Sequence, residues 1–326
     1  MASLTSSSRN YRHPTHNLKR TLTMMDDLAS QPYEPLAVTA PLARTWSQTL
    51  CHRNDDPADS CAWLHGFWQY LRLLAIADTS HPLFVTTPRH HAAFYWEALR
   101  PLIRLGMRRV LISGCADYSM PAHVLWVYAA EQVEADMTVV DLCETPLRLC
   151  SWYGERVKAR FTVEVADILS YQSCAPFDII CTHSFFGHFS PSKRMKLLEH
   201  WRSLLTPSGR VITVNRIRPN GIKLSRFIGM AHQNAHDLAS RLAKDAGERL
   251  HIDPEEFAAM AATYIAARSR RYSIGDVEEF RTLFEGCGFR IESLHVDPLT
   301  THTSSDLNAN RNAQYAKVVA IRNYSS

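Results

Sequence analysis

A glycine turn, two carboxylates and two histidines stand at the ends of short β-branched runs, and each could do chemistry there. Val110-Leu111-Ile112-Ser113 runs into Gly114-Cys115-Ala116-Asp117-Tyr118-Ser119, so small residues join a buried strand to a helix and let a ligand approach the backbone closely. Thr138-Val139-Val140-Asp141 ends in a carboxylate that can accept hydrogen bonds from the two hydroxyls of a ribose, with Leu142 beside it. After the third run, Ala166-Asp167-Ile168 offers one acceptor for an adenine amino group and one apolar side chain for a ring face. The fourth run reaches Thr182 and opens into His183-Ser184-Phe185-Phe186-Gly187-His188-Phe189, which sets imidazoles and aromatic rings at the carboxyl end of a sheet.

Each residue type also has a purely structural use. Asp141 and Asp167 can cap the helices that follow them. His183 and His188 can be satisfied structural histidines, or bases that titrate near neutral pH. Tyr118 can contact a ligand carboxylate or pack under neighbouring helices. His90 and His91 are adjacent, so on a helix they diverge by about 100° and make a poor metal pair. The eight cysteines contain no CxxC pair and no regular spacing, so the expectation is reduced thiols, a cytoplasmic protein and no metal.

Thirty-six basic residues against 32 acidic ones leave a net charge of +4, too mild and dispersed to be a nucleic-acid footprint. A small-molecule substrate is favoured instead. No apolar run is long enough to predict a membrane span, and the start of the chain lacks a signal-peptide pattern.

The elements that must position these residues follow from the patterning. Residues 1–32, rich in Ser, Thr and Asn at their start, read as a disordered arm. Residues 33–105 read as a helical N-terminal cap, with Trp63, Leu64, Phe67, Trp68, Leu71 and Leu74 at helical steps. From 106 to 326, β-branched runs alternate with helical segments, the pattern of a parallel sheet. Strands are predicted at 110–113, 137–141, 161–165, 177–182, 210–215, 290–296 and 314–322. Helices are predicted to begin near Ser119, Thr145, Ser190 and Ser273, the last with Asp276 as a capping box. A helical insertion spans 221–272, with a second start at Asp253-Pro254. Arg216, Arg218, Lys223 and Arg226 open it, and Arg268, Arg270 and Arg271 lie at its end, as pocket anchors or as a solvated face.

In this order the segment 110–322 resembles the class I S-adenosylmethionine-dependent methyltransferase family. Leu204-Leu205-Thr206-Pro207-Ser208-Gly209-Arg210-Val211-Ile212 resembles that family's Leu-Leu-x-Pro-x-Gly connection into the fifth strand. The first turn departs from the family pattern, with Gly114 alone where two or three glycines are usual. The resemblance implies a Rossmann-like α/β fold with a seven-stranded, mostly parallel sheet and helices on both faces. It also implies S-adenosyl-L-methionine as cofactor and a small-molecule acceptor, as in specialised biosynthesis. By position, Gly114, Cys115 and Ala116 would pass the methionine part, Asp141 would hold the ribose, and Asp167 with Ile168 would hold adenine. Leu142, Thr182 and Tyr118 complete the expected cofactor set, and His183 and His188 are the candidate catalytic residues. Two rivals stand beside this reading. A nicotinamide-dependent oxidoreductase would need a G-x-G-x-x-G turn, which is absent. A non-catalytic binding subunit would use the aromatic cap for contacts, including homodimerisation. Nucleic acid and membrane are not expected partners.

Overall fold

In the computed structural model, the residues described are 32, 34–51, 61–77, 86–217, 250, 252–268, 272, 274–298 and 314–323. Nearly all of the predicted arm lies outside them, as do Arg218, Lys223, Arg226, Arg270 and Arg271.

Seven strands form one sheet: β1 (Arg109–Ser113), β2 (Asp136–Asp141), β3 (Thr162–Val165), β4 (Phe177–His183), β5 (Leu205–Ile217), β6 (Phe289–Pro298) and β7 (Gln314–Arg322). Their order is β3-β2-β1-β4-β5-β7-β6. The first five run parallel, and β7 lies antiparallel to both β5 and β6. This is the Rossmann-like α/β sheet expected, with every predicted strand present. The order reverses between β1 and β4, which places a crevice at their carboxyl ends.

Alternation along each strand decides which face a side chain serves. Val110, Ile112, Val139, Ile179 and Val214 point to one core, closed by the helices α4 (Ala92–Arg104), α5 (Ser119–Ala130) and α6 (Glu144–Val157). Leu111, Val140, Ile180, Val211 and Val318 point to the other, closed by α7 (Pro191–Leu204) and α9 (Val277–Gly286). Each such Val, Ile or Leu contributes about 1.5–3 kcal/mol relative to an exposed one.

The N-terminal helices α1 (Leu36–Leu50), α2 (Ala62–His65) and α3 (Trp68–Ala77) lie over the sheet's helices. Leu36 and Ala43 of α1 share a core with β1 and β2, so the predicted cap is continuous with the sheet domain. Its aromatic stripe is covered by α8 (Pro254–Arg268) from the predicted insertion. Phe67 meets Phe257 at 5.2 Å and Tyr264 at 5.8 Å, edge-on, and Arg44 pairs with Glu256 across the same seam. Asp253 caps α8 as its sequence suggests, accepting from the Glu256 amide at 3.0 Å.

One helix start is corrected. The cap of α9 is Asp276, whose carboxylate accepts from the Glu279 amide at 2.8 Å, while Glu279 accepts from the Gly275 amide at 2.7 Å. Ser273 itself lies outside the described residues; Ile274, buried, bridges in parallel to Ile217, and the helix begins at Val277. Among the described residues, no helix is long and apolar enough to cross a membrane.

Candidate functional site

A cavity of about 690 Å³ opens at the carboxyl ends of β1, β2, β3 and β4, roofed by α2 and α3. That volume lies in the range of small-molecule pockets. A shallower depression of about 760 Å³ lies at the opposite ends of β2 and β3, beside Asp136 and Thr162, where the switch point delivers nothing.

The β1 turn forms one wall through Gly114, Cys115 and Ala116. Gly114 has φ +73°, a conformation that other L-residues adopt at a cost, and an added Cβ would meet the Phe185 ring at 2.1 Å. The glycine is required twice over, by backbone conformation and by that ring. Asp141 closes the neighbouring wall. One of its oxygens accepts from the Cys115 amide at 2.9 Å and the other from the Cys143 amide at 2.8 Å, so a single carboxylate ties the β1 turn to the β2 turn. Each oxygen keeps a further lone pair. Burial raises the Asp141 pKa, against the pull of His65 and the two amides. Leu142 beside it is 58% exposed and lines the cavity. Asp167 and Ile168 line it too, and the Leu169 amide at 2.9 Å fixes one Asp167 oxygen.

The β4 side is built differently. Ser184 has φ +53°, an uncommon backbone for serine, held by a 2.7 Å hydrogen bond from its amide to the Val214 carbonyl. This kink separates His183 from Phe185 and lets both line the cavity. Phe185 stacks on Trp201, whose indole donates to the Ser113 hydroxyl at 3.1 Å. Asn215 accepts from the Phe186 amide at 3.1 Å, and the buried Arg194 donates to the Phe186 carbonyl at 3.1 Å and to that of Tyr272 at 2.8 Å.

His183 is held by Tyr95, a fully buried α4 residue whose hydroxyl donates to the Thr182 carbonyl at 2.9 Å and lies 3.3 Å from His183 Nδ1. His183 Nε2 is buried with no hydrogen-bond partner. Burial, reinforced by His90, pushes its pKa down to about 3, so the ring is neutral at physiological pH. This corrects the expectation of a base poised near neutrality. His91 lies 5.4 Å away, between His183 and Tyr315, and burial pushes it down to about 2. His188 is exposed and lines the cavity near Phe185.

Two expected cofactor contacts lie elsewhere. Tyr118 is fully buried, stacked on Tyr153 at 4.7 Å and hydrogen-bonded to the Thr39 hydroxyl of α1 at 3.0 Å, so it packs the cap onto the sheet domain. The Thr182 side chain is buried within the core and does not line the cavity.

The structure also supplies groups that no sequence motif marks. Arg72 of α3, buried, binds Asp117 of the β1 turn at 2.6 Å and pairs with the buried Glu34, while Asp117 accepts from the Ser119 amide at 2.8 Å. Its partners lie 38 and 45 positions away in the chain, beyond any spacing rule. Trp63 and Trp68 form the roof, and Lys193 reaches the rim from α7. Cys61, His65 and Cys143 line the same cavity, and with Cys51 they bring three sulfurs and one imidazole nitrogen within 4.8 Å of one another.

No protein-family model matches the chain, and neither does any curated protein. Among solved structures, the chain is similar to magnesium protoporphyrin IX methyltransferase from Synechocystis PCC 6803 with bound SAH, at 13% identity and TM-score 0.44, over 80% of this chain and 96% of that one. It is similar to a putative O-methyltransferase from Nostoc punctiforme PCC 73102 at 15% identity and TM-score 0.44, over 89% and 69%. A SAM-dependent methyltransferase from Methanosarcina mazei matches at 16% identity and TM-score 0.44, over 69% and 98%. Identities and TM-scores this low carry nothing about activity, and the α/β fold of this chain stands on its own sheet order and register.

Proposed function

We propose that the chain is a methyltransferase that uses S-adenosyl-L-methionine and acts on a small-molecule acceptor. The observation that carries the reading is the convergence of the Gly114 turn, the doubly anchored Asp141 carboxylate and the Asp167-Ile168 pair on one nucleoside-sized cavity. The residues fit the cofactor. Asp141 keeps an acceptor position on each oxygen for the two ribose hydroxyls, Asp167 keeps one oxygen for an amino group, and Ile168 and Leu142 offer apolar faces to a flat ring. Gly114 to Ala116 would border the amino-acid portion.

When bound, the sulfonium supplies an already activated methyl group, so the protein's work is alignment and exclusion of water. The roof of Trp63 and Trp68 and the wall of Phe185 and Phe189 serve the second task. His183 serves the first. Its neutral ring lines the cavity and helps to position the acceptor, but binds a proton too weakly to act as a strong base at neutral pH. An acceptor that is already nucleophilic suits such a site.

The test is calorimetric titration with S-adenosylmethionine, S-adenosylhomocysteine, NADH and NADPH, repeated with Asp141→Ala. Micromolar binding of the sulfur nucleosides alone, weakened by the substitution, is expected. Binding of a nicotinamide instead, or of none of the four, overturns the reading. A second reading, a binding subunit without turnover, is favoured by one observation: the Phe185 ring occupies the space beside Gly114 that a bound ligand could use. Donor binding with no methyl transfer to any acceptor across a broad metabolite panel would select it.

A further inference from the structure

We infer that Cys51, Cys61, His65 and Cys143 form a four-ligand zinc site that clips the N-terminal helices to the lip of the cavity. Cys51 ends α1, Cys61 precedes α2, His65 closes α2 and Cys143 caps α6, so four helix ends meet at one point. Cys51 Sγ lies 3.5 Å from Cys143 Sγ and 3.5 Å from His65 Nδ1, and all four ligand atoms fall within 4.8 Å of one another. A tetrahedral zinc with bonds of about 2.3 Å to sulfur and about 2.0 Å to nitrogen separates its ligand atoms by roughly 3.5–3.8 Å. The group thus has near-coordination spacing, and its composition, three thiols and one imidazole, is that of a closed structural zinc site.

The surroundings support the same assignment. Cys51, His65 and Cys143 are buried, and the Thr145 hydroxyl stands 3.3 Å from Cys51 Sγ, where it can donate to a thiolate. Cys143 sits at the N-terminus of a fourteen-residue helix, whose dipole favours a negative sulfur. Cys61 and His65 are four positions apart, one helical turn, and so face the same way. Oxidation to a disulfide would instead require two sulfurs to close to about 2.05 Å and would leave the third thiol and the imidazole unused. Cys143 is two residues from Asp141, so the clip would fix the roof and the β2 turn relative to each other. The assignment does not depend on what occupies the cavity.

The test uses the full chain purified without chelator and without donor. Elemental analysis is expected to give about one equivalent of zinc per chain, released by an organomercurial. Cobalt exchange should give the intense visible bands of a tetrahedral site and a thiolate charge-transfer band. Cys143→Ser and His65→Ala should lose at least about tenfold in zinc affinity. His65→Cys should retain the metal and strengthen the charge-transfer band, and Cys174→Ser, an exposed cysteine outside the group, should change nothing. A chain of native circular dichroism that takes up no zinc when supplied with it overturns the inference. Zinc retained equally by Cys143→Ser and His65→Ala does so too, as does an intact mass showing a Cys51 to Cys143 disulfide.

Discussion

The two halves of the cavity solve different problems with different materials. On the β1 to β3 side, polar groups are fixed by the backbone: Asp141 by two amides and Asp167 by one. On the β4 side the lining is aromatic and imidazole, shaped by a left-handed Ser184 and held by Tyr95, Trp201 and Asn215. The first half is suited to recognising a constant, hydroxyl-rich ligand. The second is suited to excluding water, and burial keeps His183 and His91 neutral. A wall of anchored carboxylates and a wall of aromatic and imidazole rings therefore meet where Gly114 packs against Phe185.

This contrast can be broken at several points. The largest effect is expected from Asp141→Ala, which removes a buried carboxylate and leaves two amides unpaired. Donor affinity should fall by about a hundredfold or more, equal to about 3 kcal/mol, in calorimetry. If the halves are separable, acceptor affinity should barely move. Gly114→Ala comes next, adding left-handed strain and a collision with Phe185. A stability loss of about 2–3 kcal/mol is expected in urea denaturation, with partial recovery in the Gly114→Ala, Phe185→Ala double variant.

A third effect is set by pH. His91 and His183 titrate far below the ordinary 6.5 because burial disfavours their charged forms, so below that pH the unfolded chain binds protons that the folded chain refuses. Stability is intact above about pH 6.5 and is lost progressively as pH falls toward 3. For His91 alone the loss is about 2 kcal/mol at pH 5 relative to pH 7. His91→Phe should flatten this slope in melting curves taken from pH 7 to 5, and an unchanged slope would mean that the ring is hydrated. The smallest effect belongs to Tyr95→Phe. Loss of its hydrogen bonds to the Thr182 carbonyl and His183 Nδ1 should cost about 1–2 kcal/mol of stability and should lower the methyl-transfer rate without altering donor affinity.

Much of the β1 to β3 half was legible because its signals are local. A strand, a small turn and a carboxylate at the strand's end are contiguous, and Gly114, Asp141 and Asp167 all line the cavity. The β4 half was legible only as a location. The low proton affinity of His183 comes from its burial and from His90, 93 positions earlier, so no motif encodes it. Tyr118 offered two uses, and Thr39 of α1 decides between them. The cap of α9 is Asp276, and the bridge from Ile274 to Ile217 just before it joins positions that no local signal links. The Cys51, Cys61, His65 and Cys143 group has no sequence signature, because Cys143 arrives from a strand end 78 positions beyond His65 only when the cap docks.

The antiparallel strand β7 carries a consequence for how the molecule is assembled in time. It is bonded on one side to β6, from which 15 intervening residues separate it, and on the other to β5, with 96 residues in between. The β6 and β7 hairpin is thus a local structure that can form early, whereas its docking onto β5 must close a long loop against chain entropy. Until that edge closes, β5 exposes an unpaired ladder, and the sheet is open to mispairing with other chains. Refolding should therefore show concentration-dependent losses that a stabilised hairpin would reduce.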